Sequence, residues 1–496
     1  MSYFLGIDVS TTATKAVVVD SNGAVVVSAS SAYDLSIPRS LWAEQDPALW
    51  WRACRRAIGE ALDRGDVEGE AIAGIGLTGQ MHGLVLLDER GRVVRPAILW
   101  NDQRAEAECS EIRDRVGREE LLRITGNDAF AGFSAPKLLW VRRHETDLYR
   151  RVRRVLLPKD YVRYRLSGEF ATDRAGAGGT LLLDLQRRDW SAELLEALDI
   201  PLSWLPPTHE GTEVTGRVSP EGAEATGIAA GTPIVAGGGD QAAQAVGVGA
   251  VEPGVVAVTL GTSGVVFATS ERPLIDAAGR LHAFPHAVPD RWHLMGVMLS
   301  AAGSLRWYRD VVAPGLTYET LIEEAEAVPP GSDGLTFLPY LSGERTPHAD
   351  SAARGAFVGL TLRHGRPEMT RAVLEGVGFG LRDSLELIEG MGVTEVTEAR
   401  ISGGGARSPI WRQMLADQLG IELVGVATTE GAGFGAALLA GVGCGNWPSV
   451  PAACEAAVEI ATMEHPRIDL RSIYDALHAS FERHYPALAP LFRDAE

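Results

Sequence analysis

The sequence predicts an α/β protein made of two structurally similar halves, and three observations carry that reading. Strand-like and helix-like segments alternate along the chain, the pattern of sheets covered by helices. A strand, polar turn, strand unit opens the chain and recurs near its middle. Small residues and a proline, Gly247 to Pro253, separate the two parts.

The first unit runs from Phe4 to Asp20, with a polar turn between apolar runs. Asn22-Gly23 then marks a hairpin into Ala24 to Val27. Ala48 to Leu62 is amphipathic and follows Asp46-Pro47, a good helix start. Ala73 to Thr78 reads as a short buried strand, and Leu84 to Leu87 as another, with a turn to Gly91. The second unit spans Gly254 to Ala268 and has the form of the first. Ser10 and Gly261 take matching places about half a chain apart, although two unrelated hairpins in a large α/β protein would read the same way. Met369 to Glu389 has a long helical pattern whose Gly376, Gly378 and Gly380 imply close packing against another element. Ala399 to Ala416 reads as strand, glycine turn, helix. Ile473 to Phe492 reads as a packing helix interrupted at Pro486. The expected domains are 1–248 and 249–496.

The 496 residues carry a formal net charge of −19. That charge argues against nucleic-acid and anionic-membrane partners, whose binding wants a basic footprint. An acidic chain that binds phosphate must rely on local amides and a cation. The Arg150 to Arg154 run reads as a solvated face. Cys54, Cys109, Cys444 and Cys454 form no C-x-x-C pair, as expected of a reduced, cytoplasmic chain. No basic and apolar leader precedes the first strand, so no secretion signal is expected. The uncharged stretch from Gly431 is shorter in its apolar part than the ~20 residues of a membrane span.

Chemistry is concentrated in a few turns. Asp240 follows three glycines and precedes a small-residue helix start, so little can crowd its carboxylate. A general base for a small hydroxylated molecule needs such an open carboxylate. A helix-capping aspartate has the same surroundings, and the segment alone favours the cap. Asp8 to Lys15 combines a carboxylate, hydroxyls and a lysine in a turn suited to phosphate oxygens. There Asp8 is able to hold Mg²⁺ directly or through its waters. Leu260 to Gly264 is a second nest of small residues, and Gly403 to Ser408 is a glycine turn that opens a helix. No G-x-x-x-x-G-K-[ST] is present and no G-x-G-x-x-G follows the first strand, which removes the commonest nucleotide motifs. His82 alone reads as a satisfied core histidine. Trp100 and Trp140 read as packing residues, with sugar stacking the alternative.

Longer motifs shift these readings. Gly132 to His144, and Gly355 to Leu360 together with Glu368 to Glu375, resemble the two signatures of the FGGY family of carbohydrate kinases, and the resemblance runs over nearly the whole chain. Gly79 to Gly83, Leu41 to Asp46, Ile98 to Asp102, Leu157 to Asp160 and Leu338 to Pro347 resemble its xylulokinase branch. The resemblance implies two ribonuclease-H-like domains of the actin-like ATPase type, with ATP and Mg²⁺ in the interdomain cleft. It implies Asp240 as catalytic base with Asp8 beside it, both holding Mg²⁺ through water. Met81, His82, Asp240 and Gln241 would contact the sugar. Thr11, Thr12, Lys15, Gly261, Thr262, Gly404, Gly405 and Ala406 would contact ATP. The implied reaction is ATP-dependent phosphorylation of D-xylulose to D-xylulose 5-phosphate, by a homodimer. The alternatives are another acceptor (ribulose, gluconate, glycerol) or a non-catalytic actin-like ATP switch. Ser10 stands where many members have glycine, and Gln241 where some have asparagine.

Overall fold

Apolar runs with buried residues on both faces pair into two seven-stranded mixed sheets in the computed structural model, which describes residues 2–493. The first sheet is ordered Val25–Ala32, Ala13–Asp20, Tyr3–Val9, Ile72–Gly79, Pro233–Val235, Val214–Arg217, with Gly238–Gly239 paired to Ile72–Gly79. The second is ordered Trp292–Met298, Gly264–Ser270, Val255–Leu260, Glu398–Ser402, Glu422–Val426, Ile460–Glu464, with His282–Pro285 added beside Trp292–Met298. In both, the first three strands are antiparallel, the next two join in parallel, and the last is antiparallel. The recurring hairpins therefore begin two copies of one topology. The chain is an α/β protein of two repeated units.

Each sheet has an outer and an inner face, set by alternation along the strand. Leu5, Ile7 and Val18 pack outward against Trp50, Cys54 and Ile58 of the helix Pro47–Gly65. That helix starts where Asp46 accepts a hydrogen bond from the N–H of Ala48, with Pro47 supplying a pre-set φ. In the second unit Val256, Val258 and Val266 pack outward against Val373 and Val377 of Arg366–Gly390 and Met414 of Pro409–Leu419. The glycines of Arg366–Gly390 admit close neighbours. A Cβ on Gly376 would lie 2.2 Å from the Phe337 carbonyl oxygen.

The inner faces share one core. Phe4, Val17 and Val19 of the first sheet and Ala257, Val265 and Phe267 of the second form a single buried cluster with Ala242, Val246, Phe434 and Leu438. The last four belong to the helices Asp240–Val248 and Gly431–Gly443. The second of these lies in sequence beyond the boundary expected near residue 248, yet it packs on the first sheet. Gly6 and Gly76 leave room for it: a Cβ on either would lie 1.8 Å from a helix carbonyl oxygen, that of Gly433 or Ala436. Gly247 is helical, so the linker between the units is Gly249–Gly254. The tail forms two helices, Arg471–Phe481 and His484–Arg493. The break precedes Pro486, which sits in the first turn of the second helix, where its missing N–H costs nothing. Among the described residues no helix is long and apolar enough to cross a membrane.

Candidate active site

Three neighbouring parallel strands of the first sheet end at the same edge. Tyr3–Val9 and Gly238–Gly239 flank Ile72–Gly79, with Asp8 and Gly238 both in register with Thr78. Asp8, the turn Gln80 to Gly83 and Asp240 are thereby delivered to the carboxyl ends of parallel strands, where open α/β sheets place ligands. Asp8 and Asp240 line one cavity of about 570 Å³, together with Gln241 and Gln244 and, from the second unit, Ser402 and Thr428.

The two carboxylates are electrostatically costly. Oδ1 of Asp8 is buried without a hydrogen-bond partner. Burial pushes Asp8 up to about 6, against the pull of Lys15. Burial, and then the neighbouring Asp8, push Asp240 up to about 7. Asp240 opens the helix Asp240–Val248 and accepts the N–H of Gln241 at 2.9 Å, so it serves the helix start while its carboxyl faces the cavity. An all-oxygen carboxylate pair carrying an unpartnered oxygen suits a hard divalent cation.

The first turn is arranged differently from a simple phosphate cradle. Ser10 folds its hydroxyl back onto the Ala13 carbonyl at 2.8 Å. Thr11 Oγ1 donates to Gln80 Oε1 at 3.4 Å and accepts Trp100 Nε1 at 3.0 Å, while Thr12 is exposed. Lys15 pairs at 3.1 Å with Glu430, the residue preceding the helix Gly431–Gly443. That pair ties the first hairpin to the second unit.

Beside the carboxylates, Met81 is buried between two glycines. A Cβ on Gly239 would lie 2.8 Å from Met81 Cγ, and one on Gly179 would lie 2.9 Å from Met81 Cε. His82 adopts φ 67, in the left-handed region that few non-glycine residues occupy. Its Nδ1 lies 2.6 Å from the Gly179 carbonyl oxygen. A carbonyl cannot donate, so Nδ1 carries the proton and Nε2 offers a lone pair. Burial pushes the imidazole down to about 3, which keeps it neutral. The ring packs edge-on against Phe133, and its backbone carbonyl accepts Ser134 Oγ at 2.9 Å and Lys137 Nζ at 2.7 Å. The second unit contributes Arg345, which donates to His282 Nε2 at 3.2 Å and lies over the Phe130 ring.

Trp100 departs from the packing role expected of it. It is 46% exposed and held by Thr11 through its indole N–H, whereas Trp140 is buried and stacked on His144. The aromatic residue type alone did not separate the two.

The second unit presents two turns at the ends of the parallel strands Val255–Leu260 and Glu398–Ser402. Backbone bonds brace the first, because Thr262 accepts the N–H groups of Ala301 and Gly303. Gly403 has φ 95, and a Cβ there would lie 2.6 Å from the Leu260 carbonyl oxygen, so only glycine lets the turns meet. A second cavity of about 560 Å³ is lined by Gly261, Thr262, Gly404 and Gly405, with Ile322 and Trp411 as apolar walls. Both cavities are bordered by Gly404 and Arg407, and Ala406 lines the first. One track therefore leads from an apolar wall past glycine turns to the carboxylates, the layout a base, ribose and phosphate chain requires. Arg407, Arg345, Lys137 and the Thr428 to Glu430 loop escaped the sequence reading. The only available signal for that loop was its place just before the uncharged stretch at Gly431.

Residues 3–247 match the N-terminal domain of the FGGY family of carbohydrate kinases, and residues 256–444 match its C-terminal domain. The xylulose kinase of Escherichia coli (strain K12) is 47% identical over 421 residues, 85% of either chain. The gluconokinase of Bacillus subtilis (strain 168) is 34% identical, covering 88% of this chain and 87% of its own. The crystal structure of xylulose kinase from Rhodospirillum rubrum superposes with a TM-score of 0.92 at 33% identity, covering 99% of this chain and 100% of that one.

Proposed function

The chain belongs to the FGGY family of carbohydrate kinases, and from that premise we propose that it transfers the γ-phosphoryl group of ATP to D-xylulose, giving D-xylulose 5-phosphate. The observation that carries the proposal is the position of Asp240: it lies in the cavity that adjoins the glycine-lined track and follows Gly239, against which Met81 packs.

Each group has a role its chemistry permits. Asp240 accepts the proton of the primary hydroxyl as that oxygen attacks phosphorus in line. A base that titrates near 7 is matched to that task. His82 Nε2 accepts a second sugar hydroxyl, and Met81 covers the carbon chain. The Thr262 N–H, in a turn that Gly261 closes by donating to the Ser263 carbonyl, and the N–H groups of the turn at Thr11 and Thr12 would face phosphate oxygens, with Lys15 as the nearby charge. Gly404, Gly405 and Ala406 pass along the nucleoside. Asp8 and Asp240 would hold Mg²⁺ through its waters, and when bound it would supply positive charge to the phosphate oxygens. The unpartnered Asp8 oxygen fits that role. Movement of the two units toward one another would exclude water from the attacked phosphorus. The family resemblance also implies a homodimer and a cytoplasmic location, the first of which sedimentation tests.

A second reading rests on Arg345. No carboxylate lies within ion-pair reach of it among the described residues, and after burial and Lys137 its charge adds to what disfavours a proton on His82. Such a guanidinium suits a sugar acid, and a gluconokinase is among the relatives. Coupled ADP release with D-xylulose, D-ribulose, L-xylulose, gluconate and glycerol separates the readings. D-Xylulose should give the highest kcat/KM. Faster turnover with gluconate would transfer the assignment to the sugar acid, and ATP turnover indifferent to any acceptor would favour an actin-like switch.

A further inference from the structure

We infer that Lys137 is a positioning residue for the sugar, acting through the backbone of His82. The inference rests on the reading of His82 as a sugar contact. Lys137 is fully buried, with no exposed surface. Buried lysines are ordinarily paired with carboxylates, yet no carboxylate lies within ion-pair distance of this one among the described residues. Its Nζ donates instead to three backbone carbonyls: His82 at 2.7 Å, Leu99 at 3.0 Å and Ile98 at 3.4 Å. His82 belongs to the turn after Ile72–Gly79, and Ile98 and Leu99 to the end of the short strand Ala97–Ile98. Leu99 directly precedes Trp100, whose indole reaches Thr11.

The shortest of these bonds falls on the one acceptor of the three whose φ is positive. His82 holds φ 67, a conformation that persists only when its surroundings over-determine it. Three bonds do so. The imidazole donates to Gly179, and the His82 carbonyl accepts from Ser134 and from Lys137, both on the helix Ser134–His144. Protonated or neutral, the amine has a hydrogen for that carbonyl. Without the amine, the carbonyl loses its shorter bond and the backbone is free to relax toward a common conformation. The imidazole would then turn away from the substrate while the distant glycine turns stay in place.

The test is a double-mutant cycle of Lys137→Met and His82→Ala, reading kcat and both KM values. Met keeps the length and the apolar stem and removes only the donor. Lys137→Met should raise the sugar KM about tenfold or more and leave the ATP KM within about twofold. In the His82→Ala background the same change should add no more than about twofold to the sugar KM. An equal added effect in that background, or a parallel rise in both KM values, overturns the inference. Should Lys137→Met fail to fold, Ser134→Ala removes the companion donor to the same carbonyl. It should raise the sugar KM severalfold with the ATP KM unmoved, and an unmoved sugar KM overturns the inference. If His82→Ala itself leaves the sugar KM unchanged, the His82 assignment fails and this inference goes with it.

Discussion

The two units repeat one sheet and place opposite chemistry at its strand ends. In the first, the edge facing the cleft carries Asp8, His82 and Asp240. In the second, the equivalent edge carries glycines and hydroxyls, Gly261 to Ser263 and Gly403 to Gly405, with the cation Arg407 and no carboxylate in the turns. Topology is thus indifferent to function: alternating apolar strands and small-residue helices suffice to build either unit. The difference lies in what each strand end leaves exposed. Buried carboxylates give the first unit a proton acceptor and a cation site. Bare backbone gives the second a surface that a flat base and a phosphate chain approach closely. Each prediction below separates the two units by asking which kinetic constant moves.

The largest effect belongs to the first unit. Asp240→Asn preserves shape but removes the proton acceptor, so kcat should fall by about 10²–10⁴-fold. ATP and sugar affinity, measured by calorimetry, should change by no more than a few-fold. Turnover near the parent value would exclude Asp240 from the chemistry. The next effect belongs to the second unit. A Cβ on Gly404 would meet nothing within 4 Å, so Gly404→Val should fold, yet it would fill the track between the two cavities. The ATP KM should rise by about tenfold with the sugar KM unchanged. A rise in the sugar KM alone would mean the track had been assigned to the wrong ligand.

Much of this division was legible from residue order. The hairpin repeat, the open Asp240 and the glycine turns are local patterns, set by neighbours in sequence. What escaped depends on residues that meet only after folding. Lys15 reads from its own turn as a charge for phosphate, and nothing near it in sequence announces the partner, Glu430, that reaches it from the far end of the chain. The run from Gly431 reads as an uncharged stretch. Only the glycines at positions 6 and 76 show why its small residues must lie against the first sheet. Lys137 sits inside a recognisable signature, but its acceptors are backbone carbonyls, which leave no mark in the sequence. Trp100 was misjudged because residue type alone does not fix burial, and its exposure is set by the loop that Lys137 grips.

A smaller effect sharpens the electrostatic side of the comparison. With Asp240 near 7 and Asp8 near 6, the free enzyme carries two interacting carboxyls that titrate as a pair. The active form needs the base ionised, so kcat/KM for the sugar should rise with pH and level off above about 7. Added Mg²⁺ should move that limb to lower pH, because a bound cation favours both anions. A limb centred near 4 that ignores Mg²⁺ would place the carboxyls in open water. The limb should be absent from nucleotide binding by the glycine turns, measured with the sugar omitted and Mg²⁺ withheld.

The smallest effect is on stability, and its sign follows from the same burial. Both carboxyls titrate higher in the folded chain than the ordinary 3.8. Between about pH 4 and 7 the folded state therefore holds protons that the unfolded state has released, and these two groups make stability fall as pH rises through that window. Asp240→Asn removes one buried anion. At pH 8, without ligands, its Tm should exceed that of the parent by about 1–4 °C. The gap should shrink as pH falls through the folded value and close below about 4, where the parent carboxyl is protonated in both states and resembles the amide. Gly404→Val carries no ionisable group and should show no such pH dependence. An Asp240→Asn variant less stable than the parent at pH 8, or a gap of equal size at pH 5, would mean that burial does not strain this carboxylate and that its tuning as a base has another origin.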